Sequence, residues 1–339
     1  MNTPPWIEPW VAALRDRFSE RHHAWLLIGR LGDGLALAGQ ALARALLCEA
    51  PRSGLACGSC SSCRWMEVGA HPEFLRLGVE DSEAEVSRLP TIKVEQVREA
   101  VEFATRAASS LRGRVILIDP ADALAPASAN ALLKALEEPA VGTRWVLLSE
   151  RPGRLLATLR SRTLRVVLPR PSFADALAFL LAQGYGRERA ERALRACRGA
   201  ALSAQAELDG DGEFERARER FFRELAEPQQ LSAFAWGLWV ESGGRANRRE
   251  RFAALLTWLE AWLVDWAKAC CGAAPELHDR ASSGAAEPEW TQLARALRYH
   301  RELLRDLSLP ESSVSPRLQI ERMLVEFRAV FSLTARRPG

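Results

Sequence analysis

Lysine is nearly absent from this sequence: Lys93, Lys134 and Lys268 stand against 43 arginines. A site that needs a lysine to grip phosphate therefore has few places to find one. Genomic base composition is the plainest source of the bias. Charge imbalance is missing too. A formal net charge of +3 over 339 residues does not mark a chain built to coat nucleic acid. Nor is there a long apolar run. The best stretches, 41–48 and 252–264, are short or broken by Arg44 and Glu260, well below the about 18 uninterrupted apolar residues of a membrane span. The opening "MNTPPWIEPW" has neither the basic start nor the apolar core of a secretion signal. Internal repeats and low-complexity tracts are lacking as well. These absences predict a cytoplasmic chain with no membrane association, of two or three domains at about 150 residues each. With 48% hydrophobic residues there is material for real cores.

What is present begins with a glycine-rich turn, "LLIGRLGDGLALAG" at 26–39. Gly29, Gly32 and Gly34 fall where the phosphate loop G-x-x-x-x-G-K-[ST] and its relatives keep theirs, but Leu35 and Ala36 replace the lysine and the hydroxyl residue. The glycines supply torsions and close approach between strand and helix. A second nucleotide motif is degraded in the same way. The run Val115-Ile116-Leu117-Ile118-Asp119-Pro120 keeps the aspartate of a magnesium-holding strand and puts a proline where an acid would orient water. Asp119 alone reads equally well as a turn-capping residue; two degraded sites in register make the stronger case.

Four of the seven cysteines are clustered, Cys48, Cys57, Cys60 and Cys63, with spacing C-x8-C-x2-C-x2-C. In a reducing cytosol such a cluster is a metal site more often than a disulfide pair. Four thiolates complete a closed tetrahedral zinc shell, which leaves no position for water or substrate and so implies a structural role. An iron–sulfur cluster is the alternative. Cys197, Cys270 and Cys271 lie in helical patterns and read as packing residues.

The first half alternates between strands and helices. A helix near 8–19 precedes the strand "AWLLIG", and another runs from the glycine turn to about Cys48. "PEFLRLGV" reads as a strand, followed by the acidic linker "EDSEAEVSR". "TIKVEQVREAVEFATRAA" has a helical apolar face at Val94, Val97 and Val101. "GRVILIDPADAL" and "TRWVLLSE" suit strands buried on both sides, "SANALLKALEEP" is a helix ending at Pro139, and "TLRVVLP" is a last strand. This order predicts an α/β domain with a largely parallel sheet and a site beyond the strand carboxyl ends. From "PRP" at 169–171 onward strands disappear. Residues 172–208 form a small helical segment and 213–335 a larger one, in which Trp258, Trp262 and Trp266 mark a buried face. "GGRANRRER" reads as a solvated basic loop.

The order of the glycine turn, the four cysteines, "AHPEF", "TIKVEQVREA", "VILIDPADAL", "SANALLKALEEP" and "LLATLRSRT" resembles the bacterial clamp-loader AAA+ family, strongly over about residues 20–165 and more loosely beyond. "NALLKALEEP" and "LRSR" are its specific parts. Motor members share the cysteine module but keep the full phosphate loop, so Leu35-Ala36 points to a non-motor member. The resemblance implies that Ser161-Arg162 supplies an arginine finger in trans to the nucleotide of a neighbouring subunit. The rigid, permanently charged fork of arginine suits phosphate oxygens. Thr163 replaces the usual cysteine, and Arg160 is the competitor for the role. A sensing arginine of the motor members is replaced by Leu202, with Arg198 close but offset, and the sensing position on "WVLLSE" is Ser149.

The expected protein has three parts: a degenerate AAA+ domain over 1–169 carrying the zinc module at 48–63, a helical lid over 170–211, and a helical collar for oligomerisation over 212–339. No ATP hydrolysis and no nucleotide cofactor are expected of it. By resemblance its partners are motor subunits of the tau or gamma type and a delta subunit of DNA polymerase III, and through them the sliding clamp and primed DNA. An active motor ATPase and a zinc-stabilised DNA-binding module are the competing readings.

Overall fold

The computed structural model describes residues 3–15, 17, 22–79, 91–106, 112–242, 244–273, 290–308 and 315–331. The acidic linker at 80–88 lies outside them. The chain divides into two compact units, the first comprising Met1–Asp81 and Pro90–Ala206 and the second running from Glu207 to Gly339.

In the first unit, α1 (Ile7–Arg15) precedes β1 (Ala24–Ile28), then come α2 (Leu35–Leu47), α3 (Ser61–Glu67) and β2 (Phe74–Leu77). They are followed by α4 (Val94–Thr105), β3 (Arg114–Ile118), α5 (Pro126–Glu137), β4 (Thr143–Ser149), α6 (Ala157–Ser161) and β5 (Leu164–Val167). The five strands form one sheet in the order β2-β3-β4-β1-β5, and every pairing is parallel. The α/β expectation with a parallel sheet holds, strand for strand. β3 is buried at every residue, and β4 at all but Arg144, because helices cover both faces of the sheet. Side chains alternate between those faces: Trp25, Leu27, Val115 and Leu117 pack under α1 and α2. Leu26, Ile116, Ile118 and Trp145 pack under α4 and α5. β5 is an edge strand with Leu164 and Val167 exposed.

A buried ion pair ties the third strand to the second. Arg114 Nε donates to Glu73 Oε2 at 2.7 Å, and both side chains are 4% exposed. The same guanidinium donates to the carbonyls of Phe103 and Arg106 and lies over the Phe103 ring. Nothing in the local sequence pattern announces this pair.

The rest of the first unit is helical: α7 (Phe173–Ala182), α8 (Arg187–Ala196) and the start of α9 (Ala201–Asp209), inside which the division between units falls. The second unit holds α10 (Glu213–Ala226), α11 (Ala233–Ser242), α12 (Gly244–Cys270), α13 (Trp290–Ser308) and α14 (Pro316–Phe331). Trp258, Trp262 and Trp266 all lie in its core, as the stripe requires. Trp262 packs edge-on against Phe327 and Phe331 at 5.2 and 5.3 Å between ring centroids. Phe327 is fully buried. Truncating it leaves a cavity ringed by aromatics, so Phe327→Ala should cost about 3–5 kcal/mol, read as an earlier urea midpoint for the second unit.

One expectation is corrected here. The basic run at 243–251 is not a loop: from Gly244 it forms the first turns of α12. Arginine is a good helix former, and Arg251 is anchored, 6% exposed. It donates to Glu213 at 2.9 Å, to the Trp239 carbonyl at 2.8 Å and to Ser242 at 2.7 Å, with its guanidinium over the Trp239 ring.

Candidate functional site

The glycine turn leaves β1 at the carboxyl edge of the sheet, where Gly29 N–H donates to the Ser149 carbonyl of β4. Only Gly34 needs its torsional freedom: it caps α2 with φ 96°. Gly29 and Gly32 are there for space. A Cβ on Gly29 would sit 3.0 Å from the Leu168 Cβ. On Gly32 it would lie 2.2 Å from Ser203 Oγ and 3.0 Å from the Ala200 Cβ. The chain's own α9 thus lies directly against the turn that would cradle a phosphate. Leu202 approaches Gly34 from the same helix, and Ile7 of α1 from another side. Leu35 is 1% exposed and packs into the core; Ala36 is half-buried beside it.

Charge completes the closure. Arg30 and Asp33 make a two-point ion pair, Nε to Oδ2 at 2.7 Å and Nη2 to Oδ1 at 2.9 Å, and Arg30 Nη1 donates to the Arg198 carbonyl at 3.2 Å. Asp33 is 2% exposed, and Trp6 Nε1 donates to its carbonyl. The Arg30 guanidinium is thereby engaged by Asp33 and is not left to meet an anion in the turn.

The other remnants of a nucleotide site are also occupied. Asp119, at the end of β3, is buried and accepts from Arg76 Nη2 of β2 at 2.7 Å. It is an ion-pair partner, rather than the turn cap that was the bland alternative. Ser149, fully buried, donates to Asp122 Oδ1 at 2.6 Å. The second oxygen of Asp122 accepts from the backbone N–H groups of Glu150 and Arg151. Gly29, Asp119 and Ser149 therefore meet along one edge of the sheet, each already partnered within the chain. Sequence reasoning missed Arg30, Asp33, Arg76 and Asp122, because no local signal marks which of many charges pair across the fold.

The finger candidate is held elsewhere. Arg162 caps the C-terminus of α6. Its Nε donates to Glu137 Oε1 at 2.6 Å, Nη2 pairs with the same oxygen, and Nη1 donates to the Thr158 carbonyl at 3.0 Å. Ser161 Oγ is exposed and donates to the Thr158 carbonyl. Thr163 turns inward, bonding to the carbonyls of Leu159 and Arg160. Arg160 is half-buried, and its Nε has no hydrogen-bond partner among the described residues.

The cysteines converge as their spacing predicts. The four sulfurs of Cys48, Cys57, Cys60 and Cys63 lie within 4.8 Å of one another, with Cys48–Cys60 at 3.9 Å and Cys57–Cys63 at 4.0 Å. Tetrahedral ligation at about 2.3 Å per sulfur requires edges of about 3.8 Å, so the set fits a metal ion. Backbone N–H groups of Cys57, Cys60 and Cys63 donate to the sulfurs of Cys48, Cys57 and Cys60 in turn. The N–H donors of Ser59 and Cys60 draw the Cys57 thiol down to about 6, while burial pushes Cys63 up to about 12. Burial also raises Cys48. A cation among the four sulfurs would deprotonate them all.

A second chain of bonds sits behind the cluster. Burial holds the His71 pKa below its ordinary value, and Nδ1 accepts from the Glu73 N–H at 3.1 Å. Nε2 therefore carries the proton and donates to Ser62 Oγ at 2.8 Å, and Ser62 donates to the Leu47 carbonyl at 2.8 Å. The two ends of the cysteine module are thereby fastened to β2. The thirteen residues of α2 separate this module from the glycine turn, about 20 Å of helix. The cluster lies at the opposite end of α2 from the glycine turn.

A family model described as "DNA polymerase III, delta subunit" matches residues 11–172. DNA polymerase III subunit delta' of Escherichia coli is 33% identical over 273 residues, covering 80% of this chain and 78% of that protein. The delta' subunit of Pseudomonas aeruginosa is 38% identical over 177 residues, covering 51% of this chain and 52% of that protein, about half its length. DNA polymerase III subunit gamma of Buchnera aphidicola is 34% identical over 172 residues, 50% of this chain and 45% of that protein.

Proposed function

We propose, on the premise that this chain belongs to the DNA polymerase III delta-prime family, that it is the non-hydrolysing subunit of a replicative clamp loader. One observation carries the reading: the phosphate cradle is filled by the chain's own α9 and closed by the Arg30–Asp33 pair. Lysine, hydroxyl and water-orienting acid are absent from their positions at Leu35, Ala36 and Pro120. The chain acts instead on its neighbours, in a complex with motor subunits of the gamma or tau type and a delta subunit, loading the sliding clamp on primed DNA in the cytoplasm. Residues 170–211 serve as a lid and 212–339 as the collar that joins the ring of subunits. Arg162 reaches a neighbour's nucleotide. Zinc occupies the four-cysteine site in this reading, since four thiolates in a closed tetrahedron suit it. No described helix is long and apolar enough to cross a membrane.

The test is turnover by the purified chain. ATP hydrolysis should stay at background at millimolar ATP, with or without primed DNA. Turnover that persists through further purification and is abolished by Gly34→Trp would favour the motor reading. Tight binding of the isolated chain to DNA, weakening steeply with salt, would favour the nucleic-acid-binding reading.

A further inference from the structure

Arg162 does not project freely. Glu137, the last residue of α5, accepts from Nε and forms an ion pair with Nη2 through the same oxygen, while the Thr158 carbonyl accepts from Nη1. Two of the five N–H donors thus make hydrogen bonds. The other donors make no hydrogen bond among the described residues, and the Arg162 side chain keeps 34% of its surface exposed. N–H groups left over on a held guanidinium are suited to phosphate oxygens.

We propose that Glu137 is a positioning residue for Arg162: by holding the guanidinium it aims the remaining N–H groups at an anionic group of a neighbouring subunit. This rests on the finger reading given above. Glu137 is itself 47% exposed, so the pair adds little to stability. Its worth lies in removing rotamers. An arginine side chain left to itself samples many orientations, and fixing it before the partner arrives lowers the ordering cost at the moment of contact.

The experiment uses the full loader, reconstituted with motor and delta subunits, the clamp and primed DNA, and reads assembly and ATP turnover. The part of turnover that Arg162→Ala removes is the Arg162-dependent part. Glu137→Gln should lower that part about five-fold, with the complex assembled and the melting curve of the subunit unchanged. Glu137→Asp, which keeps the charge on a shorter arm, should recover some of it. In an Arg162→Ala background Glu137→Gln should change nothing further, since a residue that acts only through Arg162 has no effect once it is gone. Full turnover in Glu137→Gln while Arg162→Ala is impaired overturns the positioning role. So does a rise in turnover, which would mean that Glu137 sequesters the arginine. A loss of equal size in both backgrounds overturns it too. If Arg162→Ala itself loads clamps at the full rate, the finger reading falls, and the positioning role falls with it.

Discussion

Arg162→Ala should assemble into the clamp loader normally and fail in the complex, with ATP hydrolysis lost at the one site that borrows this arginine. The side chain is one-third exposed, and its two partners are an exposed glutamate and a backbone carbonyl, so its removal leaves the fold intact. The loss in trans is expected to be large. Arginine fingers in GTPase systems contribute about 10³–10⁵ in turnover, by matching charge that develops on the transferred phosphoryl group. Total hydrolysis by the complex should fall less, because the other sites keep their own fingers, so single-site measurements show the effect best. Arg160→Ala serves as the control from the same helix. Arg160 is half-buried, and its Nε has no partner among the described residues, whereas Arg162 is held by Glu137 and the Thr158 carbonyl. Clamp loading that survives Arg162→Ala at full rate would end the finger assignment.

Cys60→Ser should release the metal and loosen residues 48–67 while the five-stranded sheet stays folded. The helix between the third and fourth ligands is only part of α3, seven residues long. Isolated helices shorter than about 12–15 residues do not hold themselves together in water. If the four cysteines hold zinc as proposed, the metal would organise this segment, since structural zinc in small modules contributes about 10–16 kcal/mol of apparent binding free energy at neutral pH. Two attachments limit the spread of the damage: the His71–Ser62–Leu47 chain on one side and the close seat of Gly54 on the backbone of Ala12 on the other. Elemental analysis should give one zinc per wild-type chain and none in the variant, and hydrogen exchange should rise in 48–67 alone. A wild-type protein without zinc, or a variant that keeps it, would refute the assignment.

How far the sequence spoke depends on the range of the interaction. β3 and β4 announced themselves as continuous apolar runs because helices cover both faces of the sheet, and that requirement acts on every residue in turn. The cysteine site was legible because its spacing is short and its ligand chemistry restrictive. The pairs Arg30–Asp33, Arg76–Asp119, Arg114–Glu73 and Arg162–Glu137 were not. Three of the four join residues 25 or more apart, and with 43 arginines available, composition cannot choose among partners. The misread basic run at the head of α12 has the same origin. Its helical state follows from Arg251 meeting Glu213, thirty-eight residues back in the chain. The start of α9 lying against Gly32 was likewise invisible, since it depends on how the helices after β5 fold back within the first unit.

That contact between α9 and the glycine turn alters what this chain responds to. In a protein whose closed form is held by a ligand, the equilibrium moves with ligand concentration as RT ln(1 + [L]/Kd). Here the closing groups are covalently part of the chain, among them Ala200, Ser203 and the Arg30 bond to the Arg198 carbonyl, so their local concentration never varies. The first unit has exchanged a variable for a constant. On the reading proposed above, its conformation would not follow the supply of ATP.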